Sequence, residues 1–140
     1  MDREEFKKLV RHREPMLLVD KAEKLGDIVV AEYKVTGEEP FLQGHFPDNP
    51  IVPGVILCEM MAQPAILLSY EMLKGRIPLF AGMTNVRFKK TVRPGDTVVT
   101  KSRMIAKKEN YVVVEAKATV DGKVCCSATQ SFILVEEKFE

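Results

Sequence analysis

The segment 41–63 brings together residue types that can transfer protons. His45 stands in a turn rich in glycine and proline, and Glu59 is the only charged residue between Ile51 and Tyr70. Histidine titrates near neutral pH and can act as a general base, whereas a carboxyl group in an apolar helix is suited to donate a proton. A base and an acid this close in sequence predict acid–base chemistry.

Backbone amides between these two side chains offer a place for a developing negative charge. The sequence Pro53-Gly54-Val55 is predicted to open a helix, so the amides of Gly54 and Val55 have no acceptor within it. They point outward with the positive end of the helix dipole, as an oxyanion hole requires. Gln63, four residues after Glu59 on the same helix face, can hydrogen-bond its carboxyl group. The set suits proton abstraction beside a carbonyl with loss of a β-leaving group.

Each of these residues alone also fits a purely structural role. A single histidine in a proline-rich loop is often a hydrogen-bonded turn residue, and Glu59 alone fits pairing with a buried cation or a place at a subunit interface. Metal binding by His45, Asp48 and Glu59 lacks the spacing of known ligand sets. His12, which lies between two arginines, is predicted to be structural. The functional interpretation therefore rests on the combination.

The elements that must hold these residues begin with one long apolar helix. Residues 55–73 are nearly all Leu, Ile, Met, Ala and Val, which predicts a helix buried on all sides. The run is about as long as a membrane span requires, but Glu59, Gln63 and Pro64 interrupt it. We therefore predict a buried central helix, ended by Lys74-Gly75-Arg76, and no membrane span.

Shorter elements surround this helix. Apolar periodicity and Gly- or Pro-containing turns predict an N-terminal helix and two groups of strands. The helix is predicted at 2–11, the strands at 16–25, 28–35, 77–90, 96–107, 111–120 and 123–135, and a frayed, charged tail at 136–140. Together they form one α+β domain spanning 1–140, in which an antiparallel sheet wraps around the helix.

Composition restricts the remaining classes. The chain has 140 residues and a net charge of +1, too small to indicate nucleic acid binding, and its charged N-terminus lacks a leader pattern, which predicts a cytoplasmic protein. Its three cysteines are predicted to be reduced and buried. Between residues 74 and 108, however, ten Lys or Arg accompany one acid. This basic run either attracts an acidic partner or occupies solvent-facing strand positions.

Several motifs together resemble one enzyme family. The central motif is Gly44-His45-Phe46-Pro47-x-x-Pro50-x-x-Pro53-Gly54-Val55, followed by Glu59 and Ala62-Gln63. It closely resembles the signature of the (3R)-hydroxyacyl-[acyl-carrier-protein] dehydratases of bacterial type II fatty acid synthesis, which have the hotdog fold. Further segments are similar to other family motifs: His12-Arg13-x-Pro15-x-Leu17-Leu18-Val19-Asp20, Gly82-x-x-Asn85-x-Arg87-Phe88-Lys89 and Val92-x-Pro94-Gly95-Asp96.

The resemblance implies an assembly and a reaction. Hotdog subunits form homodimers, often assembled further into a hexamer as a trimer of dimers, with His45 of one subunit opposite Glu59 of the other. His45 then removes the C2 proton of a β-hydroxyacyl thioester carried on phosphopantetheine, and the Gly54 amide holds the thioester oxygen. Glu59, oriented by Gln63, protonates the departing hydroxyl, and a trans-2-enoyl thioester remains. No metal or redox cofactor is implied.

The resemblance also implies a partner and an acyl tunnel. Acyl carrier protein is strongly acidic, which gives the basic run a partner. The expected contacts are Arg87, Lys89, Lys90 and Arg93. Apolar residues are expected to line or gate the tunnel, although core packing alone also explains each of them: Ile56, Met60, Ile66, Leu67 and Phe88. Pro64 departs from the family pattern and is expected to kink the helix and reshape the tunnel floor.

Three other functions stay open at this stage. A related dehydratase-isomerase also makes a cis-3-enoyl product, but that family usually has Asp in place of Glu59. Hydratases of another hotdog branch place an Asp before the histidine. A non-catalytic acyl-thioester sensor does not need both His45 and Glu59, and it is ordinarily joined to a DNA-binding segment.

Overall fold

One antiparallel sheet and one long helix make up most of the structure. The computed structural model describes residues 1–136. The helices are α1 (Arg3–Lys7) and α2 (Gly54–Leu73), with a 3₁₀ turn at Pro40–Leu42. The strands are β1 (Lys21–Leu25), β2 (Ile28–Lys34), β3 (Arg76–Phe88), β4 (Thr97–Lys108), β5 (Tyr111–Val120) and β6 (Lys123–Glu136). Their order in the sheet is β1-β2-β4-β5-β6-β3, and every neighbouring pair is antiparallel.

The sheet packs around α2, as the sequence predicts. α2 contacts all six strands. Strand β5 shows the expected alternation, with Val112, Val114, Ala116 and Ala118 buried and more exposed residues between them. The three cysteines are free and buried, as predicted. The core therefore lies between α2 and the inner face of the sheet.

The long helix α2 begins and ends where the sequence indicates. Pro53 is its N-cap, and the left-handed conformations of Lys74 (φ 45°) and Gly75 (φ 83°) end it. The helix continues through Pro64, and residues 60–67 are all buried. By length and composition α2 could cross a membrane. Its buried residues instead pack into the core, in the position predicted for a central helix.

Two predicted elements prove shorter than expected. The N-terminal helix ends at Lys7, and the strand prediction is wrong for residues 16–20, because β1 begins at Lys21. The backbone at 16–18 bonds to a side chain of α2 and not to a strand: the Gln63 amide spans both Leu18 N and the Met16 carbonyl. The apolar run 17–19 is nevertheless buried, so it reflects core packing.

Strand β3 forms one edge of the sheet and leaves apolar side chains exposed. It pairs with β6, and the exposed side chains include Leu79, Phe80, Met83 and Phe88. A long edge strand with exposed apolar side chains is a template for further pairing. The C-terminal tail was predicted to fray from residue 136. Glu136 is instead the last residue of β6, and residues 137–140 lie outside the described residues.

Candidate active site

His45 lies in a loop that is stabilised by backbone–backbone hydrogen bonds. The Ile51 amide donates to the His45 carbonyl (2.9 Å), and the His45 amide donates to the Leu42 carbonyl (3.3 Å). The imidazole stacks on Phe46, with ring centroids 4.3 Å apart. These contacts keep the half-buried ring in one place beside the start of α2.

One ring nitrogen of His45 is engaged by the loop and the other is free. Nδ1 lies 2.9 Å from the carbonyl oxygen of Ile51. Because a carbonyl only accepts, Nδ1 carries the hydrogen in this contact, and the lone pair of the neutral ring is on Nε2. Nε2 makes no hydrogen bond with residues 1–136. The ring therefore has the tautomer that a general base requires.

The start of α2 presents two backbone amides without acceptors. The amides of Ile56 and Leu57 turn back to the Pro53 carbonyl (2.9 and 3.2 Å). Within the part of the chain that the structure describes, the amides of Gly54 and Val55 donate to no other backbone group. They are available to an oxygen from outside, as an oxyanion hole requires.

An aromatic ring covers this helix start. A Cβ atom on Gly54 would lie 2.7 Å from Cε1 of Phe88, closer than real contacts allow. The missing side chain therefore lets the two groups meet. Both residues line one open pocket of about 490 Å³ together with His45, Lys89 and Lys90.

The acid half of the site is built from side chains of α2. Gln63 is only 2% exposed. Its Nε2 donates to the Met16 carbonyl (2.8 Å) and to Oε2 of Glu59 (2.9 Å), and its Oε1 accepts from the Leu18 amide (2.8 Å). The Gln63 side chain thus satisfies one backbone donor and one backbone acceptor of residues 16–18. Its remaining N–H holds the Glu59 carboxyl group in a defined orientation.

The sequence did not indicate the second neighbour of Glu59. Nε2 of His12 lies 3.4 Å from Oε2 of Glu59. From the sequence, His12 was predicted to be structural because it is flanked by Arg11 and Arg13. His12 also belongs to the His12-Arg13-x-Pro15 segment that is similar to a family motif. That motif does not show which residues contact His12 in the folded protein.

A narrow cavity extends from the acid half into the core. It measures about 210 Å³, and Glu59, Gln63 and His12 form its polar end. The rest of its lining is mostly apolar: Ala62, Ala65, Ile66, Ser69, Pro78, Leu79, Phe80, Val112, Val114 and Phe132. Its volume and lining suit a short apolar chain attached to a polar group.

Only one of the five residues predicted to line the tunnel borders this cavity. That residue is Ile66, whereas Phe88 lines the pocket at His45. Met60 and Leu67 are buried in core clusters, and Ile56 packs against one of these clusters. The last three therefore pack in the core of the single chain.

Base and acid do not share a pocket within one chain. His45, Gly54 and Val55 line the open pocket at the start of α2, whereas Glu59 and Gln63 line the narrow cavity. Each half is formed separately, and each borders residues of β3.

Comparison with known proteins places the chain in a family. The family described as a FabA-like domain matches residues 10–129. The chain belongs to this FabA-like family. The FabA-like chain is also 46% identical over 137 residues to the 3-hydroxyacyl-[acyl-carrier-protein] dehydratase FabZ of Clostridium perfringens, covering 96% of this chain and 99% of that protein. It is 47% identical over 135 residues to the enzyme of the same name from Streptococcus equi subsp. zooepidemicus, covering 94% and 96%.

Solved structures bear out the fold. The dehydratase heterocomplex ApeI:P from Xenorhabdus doucetiae matches with a TM-score of 0.80 at 19% identity, covering 94% of this chain and 91% of that one. A hypothetical thioesterase with coenzyme A from Streptococcus pneumoniae matches with a TM-score of 0.61 at 16% identity, covering 85% and 88%. These likenesses concern the fold, and they confirm the predicted hotdog architecture.

The predicted basic contacts of the FabA-like chain are all exposed but lie in different places. Lys89 and Lys90 line the pocket of His45. Arg93 donates to the Asn49 side chain in the His45 loop. Arg87 lines a separate groove on the sheet. Lys89 and Lys90 are thus the pair beside the base.

Glu39 is a structural residue that the sequence analysis missed. Its carboxylate accepts from the Tyr33 hydroxyl (2.6 Å) and from the amides of Thr36 (2.9 Å) and Gly37 (2.8 Å). Burial acts to raise its pKa, but these hydrogen bonds outweigh burial and lower the pKa. Because the 3₁₀ turn before the His45 loop starts directly after it, Glu39 anchors that loop.

The metal site weighed from the sequence can be compared with the placement of possible ligands in the structure. Among residues 1–136 the structure contains no group of three or more His, Cys, Asp or Glu side chains placed to hold a metal ion. His45, Asp48 and Glu59, which the sequence analysis weighed as ligands, do not form such a group.

Proposed function

We propose that the protein dehydrates (3R)-3-hydroxyacyl-[acyl-carrier-protein] to trans-2-enoyl-[acyl-carrier-protein] in fatty acid elongation. Curated dehydratases resemble it over nearly the whole chain. The observation that carries the proposal is the contact of His45 Nδ1 with the Ile51 carbonyl, which leaves Nε2 as the basic nitrogen in the pocket that Gly54 and Val55 also line. The amides of these two residues donate to no backbone group among residues 1–136. This combination supplies a base and an oxyanion site for one thioester group.

The reaction begins at the C2 carbon. Nε2 of His45 takes the C2 proton, and the electron pair of the C–H bond moves toward the thioester carbonyl. Negative charge grows on the carbonyl oxygen, where the Gly54 amide, supported by that of Val55, stabilises it. The hydrogen bond from Nδ1 to the Ile51 carbonyl stabilises the imidazolium that forms.

The second half of the reaction removes the hydroxyl group. The electron pair returns to form the C2–C3 double bond while the C3–O bond breaks. Glu59 protonates the departing oxygen, which leaves as water, and Gln63 orients the carboxyl group through its hydrogen bond to Oε2. The reaction consists of two proton transfers and the breaking of the C3–O bond, with no net oxidation or reduction, so the proposed mechanism invokes no redox cofactor. A proton then passes by way of solvent from the His45 imidazolium to the Glu59 carboxylate, which restores both groups for the next turnover.

A homodimer with shared sites is part of the proposal. Two features support it: base and acid line separate pockets within one chain, and both pockets border the exposed apolar edge strand β3. Pairing through this edge would cover its unpaired backbone groups. In the dimer His45 of one subunit meets Glu59 of the other, and by the family resemblance three dimers form a hexamer.

Acyl carrier protein is the proposed partner. Lys89 and Lys90 are exposed and line the His45 pocket, into which an acidic carrier would deliver its phosphopantetheine arm. Arg93, which is bonded to the His45 loop, and Arg87, in a separate groove on the sheet, are further proposed contacts. The acyl chain enters the narrow cavity beyond Glu59, with Ile66 in its wall and Phe88 at the mouth of the His45 pocket. Residues 1–140 act as one domain in this scheme, and a cytoplasmic location stays a prediction.

The test follows the enoyl absorbance of carrier-bound 3-hydroxyacyl substrate with wild-type protein and with Glu59→Gln. Wild-type protein is expected to form enoyl product, and Glu59→Gln is expected to lose about 10²–10⁴-fold in kcat, the usual contribution of a general acid. Full activity of Glu59→Gln would contradict the role of Glu59 as the general acid. Product analysis decides between the dehydratase and the dehydratase-isomerase, which also forms a cis-3-enoyl species, and a non-catalytic sensor forms neither product.

A further inference from the structure

His12 approaches the acid of the site from the N-terminal segment. Its Nε2 lies 3.4 Å from Oε2 of Glu59, and both residues line the narrow cavity. Its Nδ1 is buried and has no hydrogen-bond partner among residues 1–136. The ring therefore has its one polar contact within the described chain at the Glu59 carboxyl group.

Gln63 and His12 approach the same oxygen of that carboxyl group. The backbone determines which way the Gln63 amide points, because the Leu18 amide can only donate and the Met16 carbonyl can only accept. Gln63 must consequently offer an N–H to Oε2 of Glu59, at 2.9 Å. Oε2 thus accepts the Gln63 N–H and has Nε2 of His12 at 3.4 Å, while Oε1 makes no hydrogen bond with residues 1–136.

This asymmetry assigns different tasks to the two carboxyl oxygens. When Nε2 of His12 carries the hydrogen of the neutral ring, both that ring and the Gln63 amide direct an N–H at Oε2, and the acidic proton then belongs on Oε1. We propose that His12 is a positioning residue which, together with Gln63, holds Oε2 of Glu59 so that Oε1 presents the proton to the departing hydroxyl. This inference rests on the proposed function of Glu59.

The segment that carries His12 is held firmly enough for such a role. The Arg13 guanidinium donates to the carbonyls of Val10 (3.0 Å) and His12 (2.6 Å). Val10 is buried in the core, and Gln63 ties Met16 and Leu18 to α2. The backbone that carries the ring is consequently tied to the helix that bears Glu59, as the backbone of a residue that orients another must be.

The experiment compares three variants in the same enoyl-absorbance assay, each with its thermal unfolding midpoint. His12→Phe keeps a flat ring but removes both ring nitrogens, and kcat is expected to fall about tenfold with KM within about twofold, the effect of one lost polar contact that positions the acid. His12→Gln can place an amide N–H near the former Nε2 and is expected to stay within about threefold of wild type. Glu14→Gln is the matched control. It removes the ion pairs of Glu14 with Arg3 and Lys7 in the same segment without touching Glu59, and kcat should not change.

Each result bears on the inference. A His12→Phe kcat equal to that of wild type overturns it, as does an equal fall in His12→Phe and His12→Gln, because rescue by a second donor is what distinguishes positioning from packing. An equal fall in Glu14→Gln overturns it too, since general loosening of the segment then explains the loss. If His12→Phe unfolds below the assay temperature, His12→Ala replaces it. Wild-type protein that forms no enoyl product contradicts the proposed function itself, which separates that failure from a failure of the His12 inference.

Discussion

The two halves of the candidate site are built in opposite ways. The base half, around His45 and Gly54, depends on main-chain groups: the Ile51 carbonyl sets the tautomer, and the proposed oxyanion site consists of two amides that have no backbone acceptor among residues 1–136. The acid half depends on side chains, because Gln63 and His12 hold the Glu59 carboxyl group. One half is exposed at a pocket mouth, and the other reaches into the core.

Because of this difference, substitutions in the two halves should affect catalytic activity and folding stability to different extents. In the base half, side chains can change while the loop keeps its backbone hydrogen bonds, so activity should fall with little loss of stability. In the acid half, the group that orients the acid also satisfies buried backbone, so activity and stability should fall together. Substitutions in each half can break or sharpen this contrast.

The largest expected effect is that of His45→Ala. Removing the base should lower kcat about 10²–10⁴-fold. The variant gives up one partly exposed hydrogen bond to the Ile51 carbonyl, so the free energy of unfolding should fall by only about 1 kcal/mol. Steady-state kinetics and urea denaturation measure both quantities. A loss of several kcal/mol would contradict the view that the loop backbone holds the base half.

Gln63→Ala should show the opposite behaviour. It leaves the Leu18 amide and the Met16 carbonyl without partners in the core, which should cost about 2–4 kcal/mol of unfolding free energy. Urea denaturation tests this against Gln43→Ala, in which an exposed glutamine with one long 3.5 Å contact is truncated. Similar stability of the two variants would show that the Gln63 hydrogen bonds are unimportant to the fold.

A smaller effect is expected of Gly54→Ala. The added Cβ meets the Phe88 ring and must displace it from the helix start. Since Phe88 is exposed and can rotate, we expect about a five- to tenfold fall in kcat/KM and about 1 kcal/mol or less in stability. Combining it with Phe88→Ala removes the collision. The kcat/KM of the double variant is compared with the value obtained by multiplying the fold-changes of the two single variants. If the measured kcat/KM does not exceed that value, the collision with Phe88 is not the cause of the loss in Gly54→Ala.

The smallest effect concerns pH and the anchor of the His45 loop. Glu39 has a lowered pKa in the folded protein, so its hydrogen bonds stabilise the fold above its ordinary pKa of 4.5 and lose that contribution as pH falls through the folded-state value. Stability should therefore decline from about pH 4.5 downward. Glu39→Gln should flatten that part of the profile, as thermal unfolding at a series of pH values can show. An unchanged profile would remove Glu39 as the cause.

The sequence predicted the parts that depend on local pattern. The apolar run at 55–73, the glycine after Lys74 and the alternation in β5 all correspond to observed elements. Pro53-Gly54-Val55 likewise marks the start of α2. These features arise from interactions between residues close in sequence, so the amino acid order contains them.

Long-range side-chain contacts were beyond the sequence. Residues 16–19 suggest a strand because they are apolar, yet the backbone of Met16 and Leu18 bonds to Gln63 in a distant helix. His12 reaches Glu59 in the same way, and Glu39 reaches Tyr33 across a turn. Each contact depends on how elements pack together, which residue type and spacing do not determine.

Mixing two inactive variants tests the central claim most directly, since it asks whether each site draws its base and its acid from different subunits. His45→Ala and Glu59→Gln subunits are co-expressed in equal amounts, and the enoyl-absorbance assay is run on the mixed pool and on each variant alone. In a shared-site dimer, about half of the dimers are mixed and each has one intact site, so the pool should recover about a quarter of wild-type activity. Activity no higher than that of the separate variants would contradict a site built across the interface.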